Sequence, residues 1–173
     1  MKTIAVTGTS AICKNTVLSL LCQKLPHAEL LRFDDFSYRI KPGCEALLVD
    51  AGAECGGWDL SPLEAAIHHV MKEGNCEWLL LDYPFAYLHP DLRHCIDKAV
   101  FIDTPLDIAL AQRILEEEMH GEEIRTDMAL YLQHARPALL QLKNAAMPSS
   151  DYVVNGDGTN AEISNAVLHL ICE

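Results

Sequence analysis

Residues 7–16 are Thr7-Gly8-Thr9-Ser10-Ala11-Ile12-Cys13-Lys14-Asn15-Thr16, and they lie between the apolar runs Ile4-Ala5-Val6 and Val17-Leu18. A short apolar run, a polar segment with an early glycine and a second apolar stretch are typical of a strand, a tight loop and a helix. A loop in this position aims backbone N–H groups and a helix N-terminus at one point, which suits a phosphate group. The stretch therefore predicts an α/β domain with a phosphate site near its start.

The stretch matches the phosphate-loop pattern G-x-x-x-x-G-K-[ST] at Gly8 and Lys14, and departs from it at Cys13 and Asn15. A glycine at the first departure lets the backbone approach phosphates without a Cβ, and a hydroxyl at the second binds Mg²⁺. Thr16 supplies a hydroxyl one residue later. The alternative interpretation is a plain strand–turn–helix with an incidental lysine.

Length and charge bound the class of protein. The 173 residues suit a single domain, and half of them are hydrophobic, which is enough for a sizeable core. A net charge of −12 without a basic cluster argues against nucleic acid as a partner, whereas a small phosphorylated ligand needs only a few local cations. The apolar runs are too short to span a membrane, and no signal peptide precedes the first strand. The oligomeric state stays open.

The seven cysteines are irregularly spaced and contain no C-x-x-C pair, which indicates a reduced, cytoplasmic chain. Most are expected to be small buried core residues. Cys13 differs, because a helix N-terminus and the neighbouring Lys14 can lower the pKa of its thiol. The eight histidines show no metal-ligand spacing and are interpreted as structural.

Five apolar runs predict strands, at residues 2–7, 29–33, 77–82, 98–103 and 152–154. The segments between and after them predict helices, at residues 14–25, 61–73, 105–119, 126–146 and 160–172. This alternation implies a three-layer α/β/α fold with a mostly parallel five-stranded sheet covered on both faces. We expect one domain over residues 1–173, a substrate flap within 36–60 and a small lid over about 113–126.

Two helix starts are predicted from their capping residues. Ser61, Pro62 and Glu64 predict an N-cap, a first-turn proline and a capping box for the helix that begins there. Asp103 precedes Thr104 and Pro105 at the end of a strand and is interpreted as the cap of the next helix.

Carboxylates follow two of the predicted strands. Asp34 and Asp35 come directly after the second strand, and Asp82 ends the third. Ligands bind at the carboxyl ends of the strands in open parallel sheets, which is also where residues 8–16 fall. Such an arrangement suits phosphoryl transfer, in which one carboxylate accepts the proton of an attacking hydroxyl and another holds Mg²⁺. The alternative for each aspartate is a turn or strand-end cap.

A transferred phosphoryl group needs positive charge around it. Lys14 is one source, and Arg113, Arg125 and Arg136 are candidates from the lid side. Arg113 is followed by three glutamates at 116–118, so ion pairs along a solvated helix are the alternative for it.

With these residues placed, the chain resembles the uridine kinase and nicotinamide riboside kinase group of P-loop small-molecule kinases, nearly end to end. Phe33-Asp34-Asp35-Phe36 is similar to the Q-D-D-F segment of that group, in which the first Asp is the base on the substrate hydroxyl. Leu80-Leu81-Asp82-Tyr83-Pro84-Phe85-Ala86-Tyr87 is similar to its I-I-E-G-x-L-L-F segment, with Asp82 in place of a metal-associated Glu.

Three later segments extend the resemblance. Arg113 resembles the first lid arginine, and Tyr131-Leu132-Gln133-His134-Ala135-Arg136-Pro137 is similar to a Y-x-x-x-x-R-P helix. Val153-Val154-Asn155-Gly156-Asp157-Gly158-Thr159 is similar to the V-x-x-D-G-T turn that lies beside the adenine in riboside kinases. The lid has fewer arginines than the family pattern.

The resemblance implies a P-loop NTPase fold, ATP and Mg²⁺ as cofactors, and a small-molecule acceptor. The implied catalytic residues are Asp34, Lys14 and Arg113. The implied nucleotide contacts are Gly8, Thr9, Ser10, Ala11, Ile12, Cys13, Lys14, Asn15, Thr16, Arg125, Asp157, Gly158 and Thr159. The implied substrate contacts are Asp34, Asp35, Phe36 and Tyr38, and the implied metal positions are Asn15, Thr16 and Asp82.

The predicted function is an ATP-dependent phosphotransferase that acts on a hydroxyl of a small riboside-like metabolite, such as a nucleoside or nicotinamide riboside. Cys13 and Asn15 favour an alternative, a degenerate nucleotide-binding protein without kinase turnover. Lys14, Asp34 and Asp82 favour turnover, because a non-catalytic binder has little use for a carboxylate at the substrate hydroxyl. A kinase of another small alcohol, such as a sugar or a pantothenate-like compound, also stays open.

Overall fold

The computed structural model describes residues 1–40 and 57–173. Its main strands are β1 (Lys2–Gly8), β2 (Ala28–Arg32), β5 (Trp78–Asp82), β6 (Lys98–Asp103) and β7 (Tyr152–Asn155). The strands β3 (Arg39–Ile40) and β4 (Trp58–Asp59) pair antiparallel with each other. The residues between them, which include part of the predicted flap, lie outside the described part of the chain.

The five main strands form one parallel sheet in the order β2-β5-β1-β6-β7. The predicted fold class is therefore confirmed, and each predicted strand lies within one residue of the observed bounds. These runs become strands because they are short, apolar and bounded by turn residues. Full burial on both faces explains why β1, β5 and β6 lack the polar alternation of an exposed sheet.

Helices cover both faces of the sheet. They are α1 (Ala11–Lys24), α2 (Ser61–Glu73), α3 (Leu106–Glu116), α4 (Glu122–Leu130), α5 (Arg136–Ala146) and α6 (Asn160–Cys172). Alternate residues of β1 divide the core: Ile4 and Val6 pack with α1 and α6, whereas Ala5 packs on the opposite face with α2. Because successive side chains of a strand point to opposite faces, the sheet separates two apolar clusters and contributes residues to both.

The predicted start of α1 and the predicted cap of α2 are wrong, although the bounds of α2 are as predicted. Helix α1 begins at Ala11 rather than at residue 14, because Ser10 caps it. Ser61 is the first residue of α2 rather than its N-cap, and Glu64 forms no capping box. The Asp59 carboxylate instead accepts a hydrogen bond of 3.2 Å from the Ser61 amide.

Asp103 does not cap α3 either, because the N-cap position is Pro105 and has no side-chain hydrogen bond. The Asp103 carboxylate lies 2.6 Å from the Lys143 ammonium on α5 instead. This ion pair joins the end of β6 to α5.

The helices around the predicted lid differ from the predicted helices. Helix α3 ends at Glu116, α4 already begins at Glu122, and a π-helical segment over Tyr131–Ala135 joins α4 to α5. The helix predicted over residues 126–146 is therefore interrupted in the turn that precedes Pro137. Proline has no N–H to donate, and the Arg136 amide bonds to the Tyr131 carbonyl with the wider π spacing.

Gly156 lets the turn after β7 pack against the end of β6. Its amide donates to the Asp103 carbonyl at 2.9 Å. A Cβ at this position would lie 2.4 Å from the Thr104 hydroxyl and 2.7 Å from the Thr104 backbone nitrogen. The neighbouring Gly158 has more room, because the nearest atom to its Cβ position would be the flexible end of Glu162 at 3.3 Å.

We predict that Gly156→Ala lowers the free energy of unfolding by about 2 kcal/mol or more, because backbone of β6 would have to move to admit the methyl group. Gly158→Ala is the matched control and should change the stability little. Urea denaturation of both variants measures the difference. Equal stabilities would show that the turn does not need this close approach.

Candidate functional site

The carboxyl ends of three strands define the candidate site. Val6 of β1, Asp82 of β5 and Arg32 of β2 lie at the same level of the sheet. The segments that follow them, residues 9–10, Tyr83 and the 3₁₀ helix Phe33–Asp35, therefore extend from the same edge. Parallel strands place the ends of these three segments together although they are far apart in the sequence.

Lys14 and Asp82 form a buried ion pair at this edge. The ammonium nitrogen lies 2.5 Å from Asp82 Oδ1, and the side chains are only 11% and 8% exposed. Removing two charges from water can cost more free energy than their mutual attraction returns. The ion pair is therefore weak evidence for stability by itself. Two predicted site residues are nevertheless brought into direct contact across 68 positions of sequence.

The N-terminus of α1 is closed by Ser10. Its hydroxyl oxygen accepts a hydrogen bond from the Cys13 amide at 3.2 Å and donates one to the Gln112 side chain of α3 at 3.1 Å. The Lys14 amide donates to the Ser10 carbonyl at 3.2 Å. The tight loop predicted between the first strand and residue 14 is therefore shorter in the structure, a turn at Thr9 and Ser10 followed directly by helix.

Cys13 lies beneath the helix, where it is 1% exposed and packs in the core with Val17 and Ile102. Burial raises the pKa of its thiol above the usual value, and a hydrogen bond with Thr104 and the charge of Lys14 offset this only in part. The expectation of a lowered pKa is therefore wrong. The side chain acts as a small core residue.

Asn15 and Thr16, the two metal-binding residues predicted at the start of α1, point to solvent. Asn15 and Thr16 are both exposed, and the Thr16 hydroxyl donates to the Ile12 carbonyl at 3.2 Å. A helix rotates by about 100° per residue, so Thr16 lies nearly opposite Lys14 around α1. The structure thus does not bring Thr16 to the Lys14–Asp82 pair, and Asp82 is the predicted metal position that stays at the buried edge.

A cavity of about 420 Å³ lies over the N-terminus of α1. Ser10, Ala11 and Ile12 form its floor, α3 forms one wall, and the π segment and α5 form the other. Most of the wall residues are leucine or alanine. The first residues of α1 therefore line this cavity.

Arg113 is the arginine that lines this cavity. Its guanidinium forms a two-pronged ion pair with the Asp127 carboxylate of α4, which includes a contact of 3.1 Å between Nη1 and Oδ1. Its predicted alternative partners, the glutamates at 116–118, do not hold it. Arg125 is 81% exposed and lies 3.9 Å from Glu122, and Arg136 is also exposed. Neither of these two arginines lines the cavity.

Asp34 and Asp35 are exposed in the 3₁₀ helix after β2. Aromatic rings pack next to them: Phe33 stacks on Tyr38 with ring centroids 4.4 Å apart, and the edge of Phe85 meets Phe33 at 5.6 Å. Phe36 lies 6.4 Å from Tyr38 in the same group. The predicted substrate residues thus form one surface with two carboxylates on an aromatic base.

The Tyr38 hydroxyl is a buried polar group without a hydrogen-bond partner among the described residues. Burial, followed by the charges of Asp34 and Asp35, raises the pKa of this phenol well above its usual value. The hydroxyl therefore stays protonated and can donate a hydrogen bond. Unpartnered buried donors are rare and indicate strain or a role toward a ligand.

The turn over residues 157–159 caps α6. The Thr159 hydroxyl accepts from the Glu162 amide at 3.3 Å, and the Glu162 carboxylate accepts from the Thr159 amide at 2.9 Å. These hydrogen bonds lower the pKa of Glu162. Asp157 and Gly158 are exposed. The predicted contact of this turn with a nucleotide stays a prediction.

Sequence reasoning missed three residues that shape the site. The Gln112 side chain accepts a hydrogen bond from the Ser10 hydroxyl, and the Thr104 carbonyl accepts one of 2.6 Å from the Thr9 hydroxyl. Gly156 has no Cβ and so leaves room for Thr104. The Asn155-Gly156 pair was a turn signal that could have indicated close packing. Nothing in the local sequence marks Gln112, because its partner lies 102 positions away.

Comparison with known proteins supports the predicted resemblance over part of the chain. The uridine kinase of Psychromonas ingrahamii is 36% identical over 70 residues, which are 40% of this chain and 33% of that relative. The chain spans about a third of the length of the curated uridine kinases that it matches. No family model matches.

Solved structures show the same fold at low identity. The shikimate kinase of Bacteroides thetaiotaomicron matches with a TM-score of 0.56 at 17% identity and covers 99% of both chains. A sugar kinase of Janibacter sp. HTCC2649 matches with a TM-score of 0.56 at 15% identity, covering 99% of this chain and 94% of its own. The chain therefore has the α/β fold of P-loop kinases, as the motifs predicted.

We predict that Asp82→Leu lowers the free energy of unfolding by about 3 kcal/mol, because it leaves the Lys14 ammonium buried without its counter-charge. The double variant Lys14→Met, Asp82→Leu should regain most of this loss. Thermal and urea denaturation measure both. Arg125→Met removes an exposed ion pair and should be neutral. A double variant no more stable than Asp82→Leu would contradict the buried pairing.

Proposed function

We propose that the chain is an ATP-dependent phosphotransferase that phosphorylates a hydroxyl of a small riboside-like molecule, such as a nucleoside or nicotinamide riboside. The observation that carries this proposal is the buried Lys14–Asp82 pair at the carboxyl edge of the sheet, next to a helix N-terminus. A cation, a carboxylate and aligned amides are the groups that phosphoryl transfer requires. Small metabolites of this kind occur in the cytoplasm, where we place the protein.

The residues at the donor side fit a nucleotide phosphate. Lys14 would bind its oxygens as a point charge, and the amides of Ala11 and Ile12 in the first turn of α1 would bind it from the cavity floor. Asp82 offers the oxygen ligand that Mg²⁺ prefers. The metal would neutralise charge on the phosphates when bound. Lys14 would exchange its contact with Asp82 for one with the phosphate.

The residues at the acceptor side fit a ring-bearing alcohol. Asp34 would accept the hydroxyl proton as the acceptor oxygen forms its bond to the terminal phosphorus and the bridging oxygen leaves with ADP. The Tyr38 hydroxyl would donate a hydrogen bond to the same molecule, which explains why a buried donor has no partner within the protein's described residues. Asp35 and the Phe36 ring would bound the acceptor from the sides.

The lid would supply the remaining positive charge. Arg113 already lines the cavity, and its pairing with Asp127 holds it there in a defined orientation. Arg125 and the turn at Asp157, Gly158 and Thr159 would contact the nucleoside part of ATP after the lid moves toward it. Lid closure over a phosphate site is a common way to exclude water from phosphoryl transfer.

Asp34→Asn tests this assignment directly. We expect kcat for ADP release to fall by about a hundredfold, the usual contribution of a positioned base, with nearly unchanged ATP binding. Asp35→Asn is the matched control, because it removes the neighbouring exposed charge. Wild type and both variants are assayed with ATP–Mg²⁺ and a panel of nucleosides, nicotinamide riboside, sugars and pantothenate-like alcohols.

The assay separates the outcomes. A larger effect of Asp35→Asn would move the base by one residue. Turnover only with a sugar or a pantothenate-like alcohol would favour the alternative acceptor class. No turnover with any acceptor, together with normal ATP binding, would contradict the kinase assignment.

A second function is favoured by a separate observation. The Ser10 hydroxyl accepts a hydrogen bond from the Cys13 amide. An open phosphate loop would leave this amide to donate to the ligand. Asn15 also offers no hydroxyl to a metal. A protein with this closed turn could bind a nucleotide through Lys14 and the first amides of α1 without transferring its phosphate.

Ser10→Ala examines whether this cap competes with the nucleotide. Freeing one amide hydrogen bond of about 1 kcal/mol should tighten ATP binding by about fivefold, while the lost cap lowers stability by about 1 kcal/mol. Ser19→Ala removes another hydroxyl from the same helix and should leave binding unchanged. Calorimetric titration measures both affinities. Weaker binding by Ser10→Ala would mean that the hydroxyl itself contacts the phosphate.

A further inference from the structure

Two histidines and a cysteine meet between α2 and the segment that leads into β6. His68 lies on α2, and His94 and Cys95 lie in the 3₁₀ helix Arg93–Cys95. One ligand atom of each residue lies within 4.8 Å of the others. These histidines were interpreted as structural from the sequence, because 26 positions separate the members of the group on the two elements.

We propose that His68, His94 and Cys95 bind Zn²⁺, with the Glu64 carboxylate as the fourth ligand. Glu64 and His68 are four residues apart on α2 and therefore lie on the same side of the helix. Glu64 Oε1 lies 3.9 Å from His94 Nε2, so the carboxylate already borders the group. Four ligands from two elements form a closed structural site.

The chemistry of the ligand set selects the metal. Imidazole and thiolate bind Zn²⁺ well, whereas Mg²⁺ and Ca²⁺ need oxygen ligands. In a tetrahedral zinc site the ligand atoms are about 3.5 Å apart, so the separations of up to 4.8 Å among His68, His94 and Cys95 close with small side-chain rotations. The Glu64 carboxylate would approach the metal from its position beside His94. Cys95 binds as the thiolate and releases its proton to solvent, while both imidazoles bind as neutral bases.

The backbone on both sides of the group is already fixed. Leu63, Ile67 and Val70 bury a neighbouring side of α2 in the core. On the other element, the Cys95 amide donates to the carbonyl of the fully buried Leu92 at 2.9 Å. His68 and His94 are exposed and free to rotate. Metal binding would therefore order side chains without refolding either segment.

The proposed zinc site is separate from the phosphate site. Cys95 lies just before β6, whose first residue Lys98 pairs with Ile4, whereas Gly8 at the phosphate edge pairs with Ile102. The zinc would thus link α2 to the entrance of β6 at the other end of the sheet. Its expected role is to stabilise the fold, and it does not depend on the proposed kinase activity.

Zinc binding is measured on the full chain, first freed of metal by chelation and then titrated with Zn²⁺ or Co²⁺. Wild type should bind one Zn²⁺, gain several degrees in Tm, and show with Co²⁺ the charge-transfer absorption that requires a cobalt–sulfur bond. Mg²⁺ should produce none of these effects. Cys95→Ser should abolish the absorption, and His94→Ala should weaken zinc binding by at least about tenfold.

Two matched controls keep the test specific. Cys22→Ser removes a partly buried cysteine of α1, and His69→Ala removes the neighbouring histidine of α2, which pairs with Glu73 at 3.2 Å. Both should retain full zinc binding and the cobalt absorption. The proposal is overturned if wild type binds no zinc, if Cys95→Ser keeps the cobalt–sulfur absorption, or if the controls lose binding as much as the site variants.

Discussion

The contact between Lys14 and Asp82 is the constraint on which the rest of the site depends. A buried ammonium and a buried carboxylate cannot separate without a ligand, a metal or water to replace the lost partner. Because Asp82 ends β5 and Lys14 lies in the first turns of α1, the pair holds the helix N-terminus above the junction of the two central strands. Gly8 allows this, since a Cβ there would lie 2.5 Å from the Ile102 carbonyl oxygen.

Much of the fold could be predicted from the sequence, because short apolar runs bounded by turn residues specify strands locally. The bounds of β6 and α6 were predicted without error, and α6 carries the strongest local signal, a Thr159–Glu162 capping box. The start of α1 could not be predicted, because Ser10 is held by Gln112 from a distant helix. In the site, the positions of Lys14 and Asp82 followed from topology, whereas the buried Cys13 and the back-bonded Thr16 depend on how α1 is rotated over the sheet.

The lid and the acceptor surface complement this centre differently. The cavity walls are mostly apolar, Arg113 and Glu117 are the charged residues that line them, and Asp127 of α4 pairs with Arg113. The acceptor surface is polar and aromatic, with Asp34 exposed and the Tyr38 hydroxyl buried without a partner among the described residues. In the proposed function, the apolar side would exclude water from the phosphate, and the polar side would offer a base and a donor to an alcohol. That division of labour is typical of a site that transfers a charged group to a neutral acceptor.

A crystal structure with Mg²⁺ and a non-hydrolysable ATP analogue tests the central claim most directly, because it shows which partner Lys14 chooses. We predict that the Lys14 ammonium leaves Asp82 and binds the terminal phosphates above the N-terminus of α1, while Asp82 turns to the metal. A structure in which the nucleotide binds and the Lys14–Asp82 contact of 2.5 Å stays intact would contradict the account.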